Sequence, residues 1–216
     1  VLSFFTAPDH DAPTDVGGNN VYDVTVQVSD GSLIDTQAIA VTVTAVNEAP
    51  AITSDGAGAT AAVNVAENGT AVTSVTATDP DAGAALSYSI AGGTDAARFA
   101  IDSSTGALTF LVAPNFEAPT DTGANNVYNV TVQVSDGTLT DTQAIAVTVT
   151  PENEAPAITS DGALATAAVN VAENGTAVTN VTASDPDASA PPPYSSTGGA
   201  AAARRAIDAS TGALTS

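Results

Sequence analysis

Val21-Tyr22-Asp23-Val24-Thr25-Val26-Gln27-Val28-Ser29-Asp30-Gly31 returns, with Asn129 in the place of Asp23, as Val127 to Gly137. The second copy alternates strictly. Tyr128, Val130, Val132 and Val134 fall on one face of an extended chain, and Asn129, Thr131, Gln133 and Ser135 on the other. A period of two is the mark of a strand with one buried and one solvated face. Asp136-Gly137 then supplies a turn, and Thr142 to Thr150 alternates again with Ile145, Val147 and Val149 inward, so the stretch predicts a β-hairpin.

The offset between the two copies, 106 residues, holds along the whole chain without insertion or deletion. Roughly three quarters of the compared positions agree, which sets the size of the folding unit. Val1 to Thr44 matches Ala107 to Thr150, and Ala157 to Ser216 matches Ala51 to Phe110. The expected division is therefore residues 1–46 as the C-terminal half of one repeat, 47–152 as a complete repeat with its leading linker, and 153–216 as the N-terminal part of a third. Both ends then fall inside domains, and the chain reads as a fragment whose lack of a leader or a membrane span carries no information about its parent.

Within the complete repeat, further short β-rich runs are Val63-Asn64-Val65, Val72 to Ala77, Leu86 to Ile90, Phe99-Ala100-Ile101 and Leu108-Thr109-Phe110. Glu67-Asn68-Gly69, Asp79-Pro80-Asp81, Gly92-Gly93 and Thr105-Gly106 separate them as turns. Seven short strands with regular turns predict an all-β fold of tandem immunoglobulin-like sandwiches. The Ala-rich run from Gly56 to Ala62 has helical propensity, but its glycines and the Thr-Val surroundings argue against a helix. A half repeat cannot close such a core. It leaves apolar faces and strand edges open, so isolated chains are expected to associate head to tail, Val1 to Thr44 of one against Ala157 to Ser216 of the next.

The chain carries 24 Asp plus Glu against 3 Lys plus Arg, for a net charge of -21, and contains no Cys, Met or Trp. Such a surface repels nucleic acid and anionic lipid and attracts cations. With no cysteine there is no disulfide framework to stiffen an extracellular chain, and metal binding is the alternative. Many acids of the complete repeat sit in turns and at its ends, among them Glu67, Asp79-Pro80-Asp81, Glu117, Asp136 and Glu152-Asn153-Glu154. Ca2+ takes about six to eight oxygens, more than one strand can offer, so its ligands must converge from several loops.

These features resemble the cadherin repeats, in the form found in large bacterial surface proteins. Ala66-Glu67-Asn68, Val75-Thr76-Ala77-Thr78-Asp79-Pro80-Asp81, Phe99-Ala100-Ile101-Asp102 with Thr105-Gly106-Ala107-Leu108, Asn115-Phe116-Glu117, Val132 to Gly137 and the linker Asn153-Glu154-Ala155-Pro156 carry the resemblance in order. It implies a Ca2+-binding segment of an extracellular or cell-surface protein, whose parent is secreted or membrane-associated and which mediates homophilic adhesion to like domains on neighbouring cells or to a surface ligand. The alternative is a passive, Ca2+-stiffened stalk in a bacterial adhesin, its adhesive or catalytic domain elsewhere. Near-identity of the repeats favours a spacer, because a partner-binding surface needs few copies.

The resemblance also implies the ligands. For the joint after the complete repeat it assigns Glu67, Glu117, Asn153 and Glu154 from upstream, with Asp185 and Asp187 from downstream. For the joint before it, the equivalents are Asp9, Asp11, Asn47 and Glu48, with Asp79, Asp81 and Asp136. The partner of Glu67 falls before Val1 in this register. Animal cadherins carry an Asp- and Asn-rich linker, whereas here it reads Val46-Asn47-Glu48-Ala49-Pro50 and Glu152-Asn153-Glu154-Ala155-Pro156, so fewer than the family's three ions per joint are expected.

Enzymatic readings find little support. No serine has a base to pair with, and the single histidine, His10, corresponds to Phe116. Carboxylate pairs serve glycosidases, but those need a cleft with stacking aromatics, and this chain is 4% aromatic. Asn68-Gly69-Thr70, Asn129-Val130-Thr131, Asn174-Gly175-Thr176 and Asn180-Val181-Thr182 fit the glycosylation pattern, and turn or strand asparagines explain them equally. In the third repeat Pro191-Pro192-Pro193-Tyr194 replaces Ala85-Leu86-Ser87-Tyr88 and Arg205 replaces Phe99, which predicts a frayed strand.

Overall fold

The computed structural model describes residues 1–187, 192–199 and 202–215. These form two compact units: residues 1–65, 70–112 and 121–148 make one, and residues 66–69, 113–120 and 149–216 the other. The second unit thus takes three loop segments from the complete repeat, and those segments carry Glu67 and Glu117.

In the first unit, β1 (Val21–Ser29) and β2 (Ile34–Thr42) form a hairpin. The complete repeat follows with β3 (Ala51–Ile52), β4 (Thr60–Ala66), β5 (Ala71–Ser74), β6 (Ala77–Thr78), β7 (Ser87–Gly92), β8 (Phe99–Ile101), β9 (Ala107–Phe110), β10 (Val127–Ser135) and β11 (Thr140–Thr150). One sheet runs β4-β11-β10-β7, facing a second of order β5-β9-β8, with β3-β6 as a short separate ladder. This is the all-β immunoglobulin-like sandwich.

Strand β10 is buried at Tyr128, Val130, Val132 and Val134, the face its alternation marks. Across from it lie Phe99, Leu108, Phe110 and Val75. Phe99 stacks on Phe110 with centroids 4.6 Å apart, and Tyr128 meets Phe110 edge-on at 5.1 Å. Rings so placed add attraction to the area they bury. Two features depart from the sequence reading. The run Val72 to Ala77 divides into β5 and β6 because Val75 turns inward and gives its N–H to the Gly106 carbonyl at 2.9 Å. Gly106 must be glycine there: at φ 71° any Cβ would collide with the Val75 carbonyl oxygen. Asp95 and Asp121 are also buried, and both act as acceptors for loop backbone.

In the second unit, β12 (Ala157–Ile158) pairs with β14 (Ala183–Ser184), and β13 (Ala177–Asn180), β16 (Ala213–Thr215) and β15 (Ala206–Ile207) form a three-stranded sheet. Pro192, Pro193 and Tyr194 are not in a strand, and Arg205 lies exposed just before β15; Pro191 lies outside the described residues. Tyr194 keeps two ties, accepting from the Ala183 N–H at 3.0 Å and donating its own N–H to the Ala209 carbonyl.

Candidate metal centre

Glu67 stands where β4 ends and the chain turns. Asn68 takes a left-handed φ of 64°, its N–H donates to the Pro114 carbonyl at 2.9 Å, and the Glu67 N–H donates to Thr150. The Glu67 side chain is only 3% exposed. Its Oε2 accepts from the Phe116 N–H at 2.8 Å and its Oε1 from the Glu152 N–H at 2.9 Å. Two backbone donors thus satisfy a buried carboxylate and fix its direction.

Around it gather three more acids. Glu117 follows a turn closed by Asn115, whose Oδ1 accepts from the Ala118 N–H at 2.7 Å. Glu154 donates its N–H to Asp187 Oδ2 at 2.6 Å, and its Oε1 accepts from Asn68 Nδ2 at 2.6 Å. Asp187 is set by Asp185, whose Oδ1 accepts the Asp187 N–H at 3.1 Å across Pro186. Glu67, Glu117, Glu154 and Asp187 each bring one carboxylate oxygen to within 4.8 Å of all the others. No arginine forms an ion pair with them among the described residues.

The second group is the same arrangement one repeat earlier. Asp11, Glu48 and Asp81 hold oxygens within 4.8 Å of one another and stand 106 positions before Glu117, Glu154 and Asp187. The supporting bonds recur: Glu48 N–H to Asp81 Oδ2 at 2.8 Å, and Asp81 N–H to Asp79 Oδ1 at 2.9 Å.

Six of the thirteen candidates stand outside both groups, in supporting places. Asp9, Asp79 and Asp185 accept backbone N–H groups two residues on, which aims Asp11, Asp81 and Asp187. Asn153 donates to the Glu154 carbonyl at 3.3 Å. Asn47 donates to Asp136 Oδ2 at 2.7 Å and to Thr138 Oγ1 at 2.9 Å. Asp136 also accepts from the Leu139 and Thr138 N–H groups, and these donors together hold its carboxyl well below the usual range. The sequence reading makes Asn68 part of a turn and not part of the site. Its signal as a site residue is its place directly after Glu67.

Electrostatically the groups are unfinished. For Glu154 the Asn68 hydrogen bond is the largest influence and pulls its pKa down, yet burial and the charges of Glu67, Asp187 and Glu117 outweigh it, and the carboxyl is raised. Glu48 is raised by burial, then by Asp11, Asp81 and Asp9. Among the described residues, Glu154 Oε2 and Asp79 Oδ2 are buried and have no hydrogen-bond partner. Converging carboxylates, a partnerless buried oxygen and donors that are all hard oxygens fit Ca2+ or Mg2+ rather than a soft metal.

Residues 61–150 match the family model described as the cadherin domain. Over 151 residues the chain is 32% identical to "Cadherin EGF LAG seven-pass G-type receptor 2" of Mus musculus and of Homo sapiens, an alignment covering 68% of this chain. It spans only 5% of the length of those receptors. Among solved structures it is similar to a protocadherin gammaB7 cis-dimer structure, at a TM-score of 0.53 and 25% identity, covering 93% of this chain and 52% of that one. The extracellular cadherin domains 3–6 of protocadherin gamma B2 share the fold at a TM-score of 0.52 and 23% identity, over 91% of this chain and 50% of that one.

Proposed function

The chain belongs to the cadherin family, and from that premise we propose that it is a Ca2+-binding segment of an extracellular, cell-surface adhesion protein. A cadherin domain is an adhesion module, and the chain is not an enzyme. No helix of the described residues is long and apolar enough to cross a membrane. The observation that carries the calcium reading is the convergence of Glu67, Glu117, Glu154 and Asp187, with Glu154 Oε2 buried and partnerless.

In this reading Glu67, Glu117, Glu154 and Asp187 hold one ion, and Asp11, Glu48 and Asp81 hold another. The ion supplies positive charge that cancels carboxylate repulsion and ties the turns together. Asn47, Asn153, Asp9, Asp79, Asp136 and Asp185 orient those ligands or complete the shell through their remaining lone pairs. Bound Ca2+ stiffens the chain between repeats, and chelation loosens it. Thermal melting in chelator against millimolar Ca2+ is the test: an unchanged midpoint removes the metal from the account.

Adhesion is homophilic in the primary reading. The repeat near-identity favours a second, a stalk of stiff spacers with the adhesive domain elsewhere. Beads coated with a multi-repeat chain separate the two, since Ca2+-dependent clumping belongs only to the first. Chains of this length also associate head to tail, because Val26 and Val28 on the first hairpin are exposed where their equivalents in the complete repeat, Val132 and Val134, are covered. Monomers by light scattering at high concentration would remove that association.

A further inference from the structure

We propose that Asn68-Gly69 is a site of spontaneous deamidation that turns the amide donor against Glu154 into a further carboxylate of the metal-binding group, an inference that rests on the calcium reading for its consequence but not for its chemistry. Asparagine before glycine is the pair most open to this reaction, because glycine has no Cβ to shield its nitrogen or restrict its backbone. Here both residues are exposed, Asn68 occupies a left-handed turn at φ 64°, and the Gly69 N–H has no hydrogen-bond partner among the described residues. The Gly69 nitrogen bonds to Asn68 Cγ and gives up its proton, the Cγ–Nδ2 bond breaks, and Nδ2 leaves as ammonia. Water then opens the cyclic imide at either carbonyl, leaving aspartate or isoaspartate at position 68. Water is the only co-reactant.

The consequence follows from one contact. Asn68 Nδ2 donates to Glu154 Oε1 at 2.6 Å and, among the described residues, is the one side-chain donor on that carboxylate. An aspartate there sets like charge against Glu154 and adds oxygens to a group already holding four carboxylates. The free chain is weakened and its cation affinity raised. Asparagine and aspartate both tolerate the left-handed turn, so the aspartate product keeps the backbone. The sequence supplies its own control. Ala172-Glu173-Asn174-Gly175-Thr176 repeats Ala66 to Thr70, Asn174 has the same φ of 64°, and its side chain has no carboxylate partner among the described residues.

The test ages the full chain in mildly alkaline buffer with chelator and follows the peptides spanning positions 68 and 174 by mass spectrometry, reading the exchange of NH for O. Both peptides gain that mass, Asn174 severalfold faster because Glu154 restrains the Asn68 amide, and Glu154→Ala brings the two rates together. Asn68→Asp lowers the melting midpoint in chelator and binds Ca2+ severalfold more tightly. An Asn68 peptide unchanged after Asn174 has fully converted overturns the proposal, as does Asn68→Asp with an unaltered midpoint in chelator. If wild-type melting ignores Ca2+, the calcium reading fails alone, and the mass gain and the chelator midpoint still decide the deamidation.

Discussion

The hairpins β1–β2 and β10–β11 pair in one register, Val21 opposite Thr42 and Val127 opposite Thr148, yet they live in different surroundings. Val132 and Val134 are 0% exposed, while their counterparts Val26 and Val28 are 36% and 67% exposed. Even the aromatic pair survives: Phe4 meets Tyr22 at 5.1 Å, as Phe110 meets Tyr128. What the first hairpin lacks is the Phe99 ring and the sheet β5-β9-β8 that cover β10. Strand, turn and register are thus local properties of these residues, whereas burial is conferred by the sheet β5-β9-β8 packed against them.

The largest expected effect tests that division directly. Val132→Asp buries a charge with no partner and should cost at least about 3 kcal/mol, enough to unfold the complete repeat. At protein concentrations low enough to keep the chain monomeric, Val26→Asp, on the uncovered copy, should change stability by less than about 0.5 kcal/mol. Urea unfolding followed by circular dichroism reads both, and equal costs would mean that Val26 is covered in solution, as by a second chain.

The two acid groups extend the comparison to the site. Each is built on the same supporting bonds, and they differ chiefly in Glu67, which joins one group and has no counterpart in the other. The four-carboxylate group should bind Ca2+ more tightly than the three-carboxylate group, giving two classes of site by calorimetric titration. Glu117→Gln should remove the tighter class and Asp11→Asn the weaker. At Ca2+ ten times the dissociation constant, binding adds about 1.4 kcal/mol, and Glu117→Gln forfeits most of that at the tighter site. A single affinity unaffected by either substitution would falsify the assignment of an ion to each group.

Much of this was legible in the residues because the information is periodic. The alternation of Tyr128 to Val134 states which face is buried, and the 106-residue register places Glu117, Glu154 and Asp187 one period after Asp11, Glu48 and Asp81. The rest depends on backbone that no pattern announces. Glu67 is fixed by the N–H groups of Phe116 and Glu152, which any residue could have provided. Strands β3 and β6 are two residues each and exist only because they pair with each other. Asp185 looked like a ligand by its place in Asp-Pro-Asp, but the structure also gives it the task of aiming Asp187.

The smallest effect concerns a buried acid with no copy in the third repeat, where Ala201 takes the position of Asp95. Burial pushes the Asp95 carboxyl up, but the Asn129 N–H, the Thr122 N–H and hydroxyl, and the Thr94 hydroxyl outweigh it and hold its pKa below the ordinary 3.8. A carboxyl lowered in the folded state contributes stability above its unfolded value and loses it as pH falls through the folded one. Acid unfolding of the complete repeat should therefore include a step below pH 3.8 that Asp95→Asn removes. At neutral pH the same substitution costs about 1 kcal/mol or more, since one of its oxygens becomes a donor facing donors. If Asp95→Asn leaves the acid limb in place, other lowered carboxyls such as Asp102, held by Thr105 and Ser104, carry it instead. The middle and third repeats, which both keep that turn at Asp102 and Asp208, would then share one acid response.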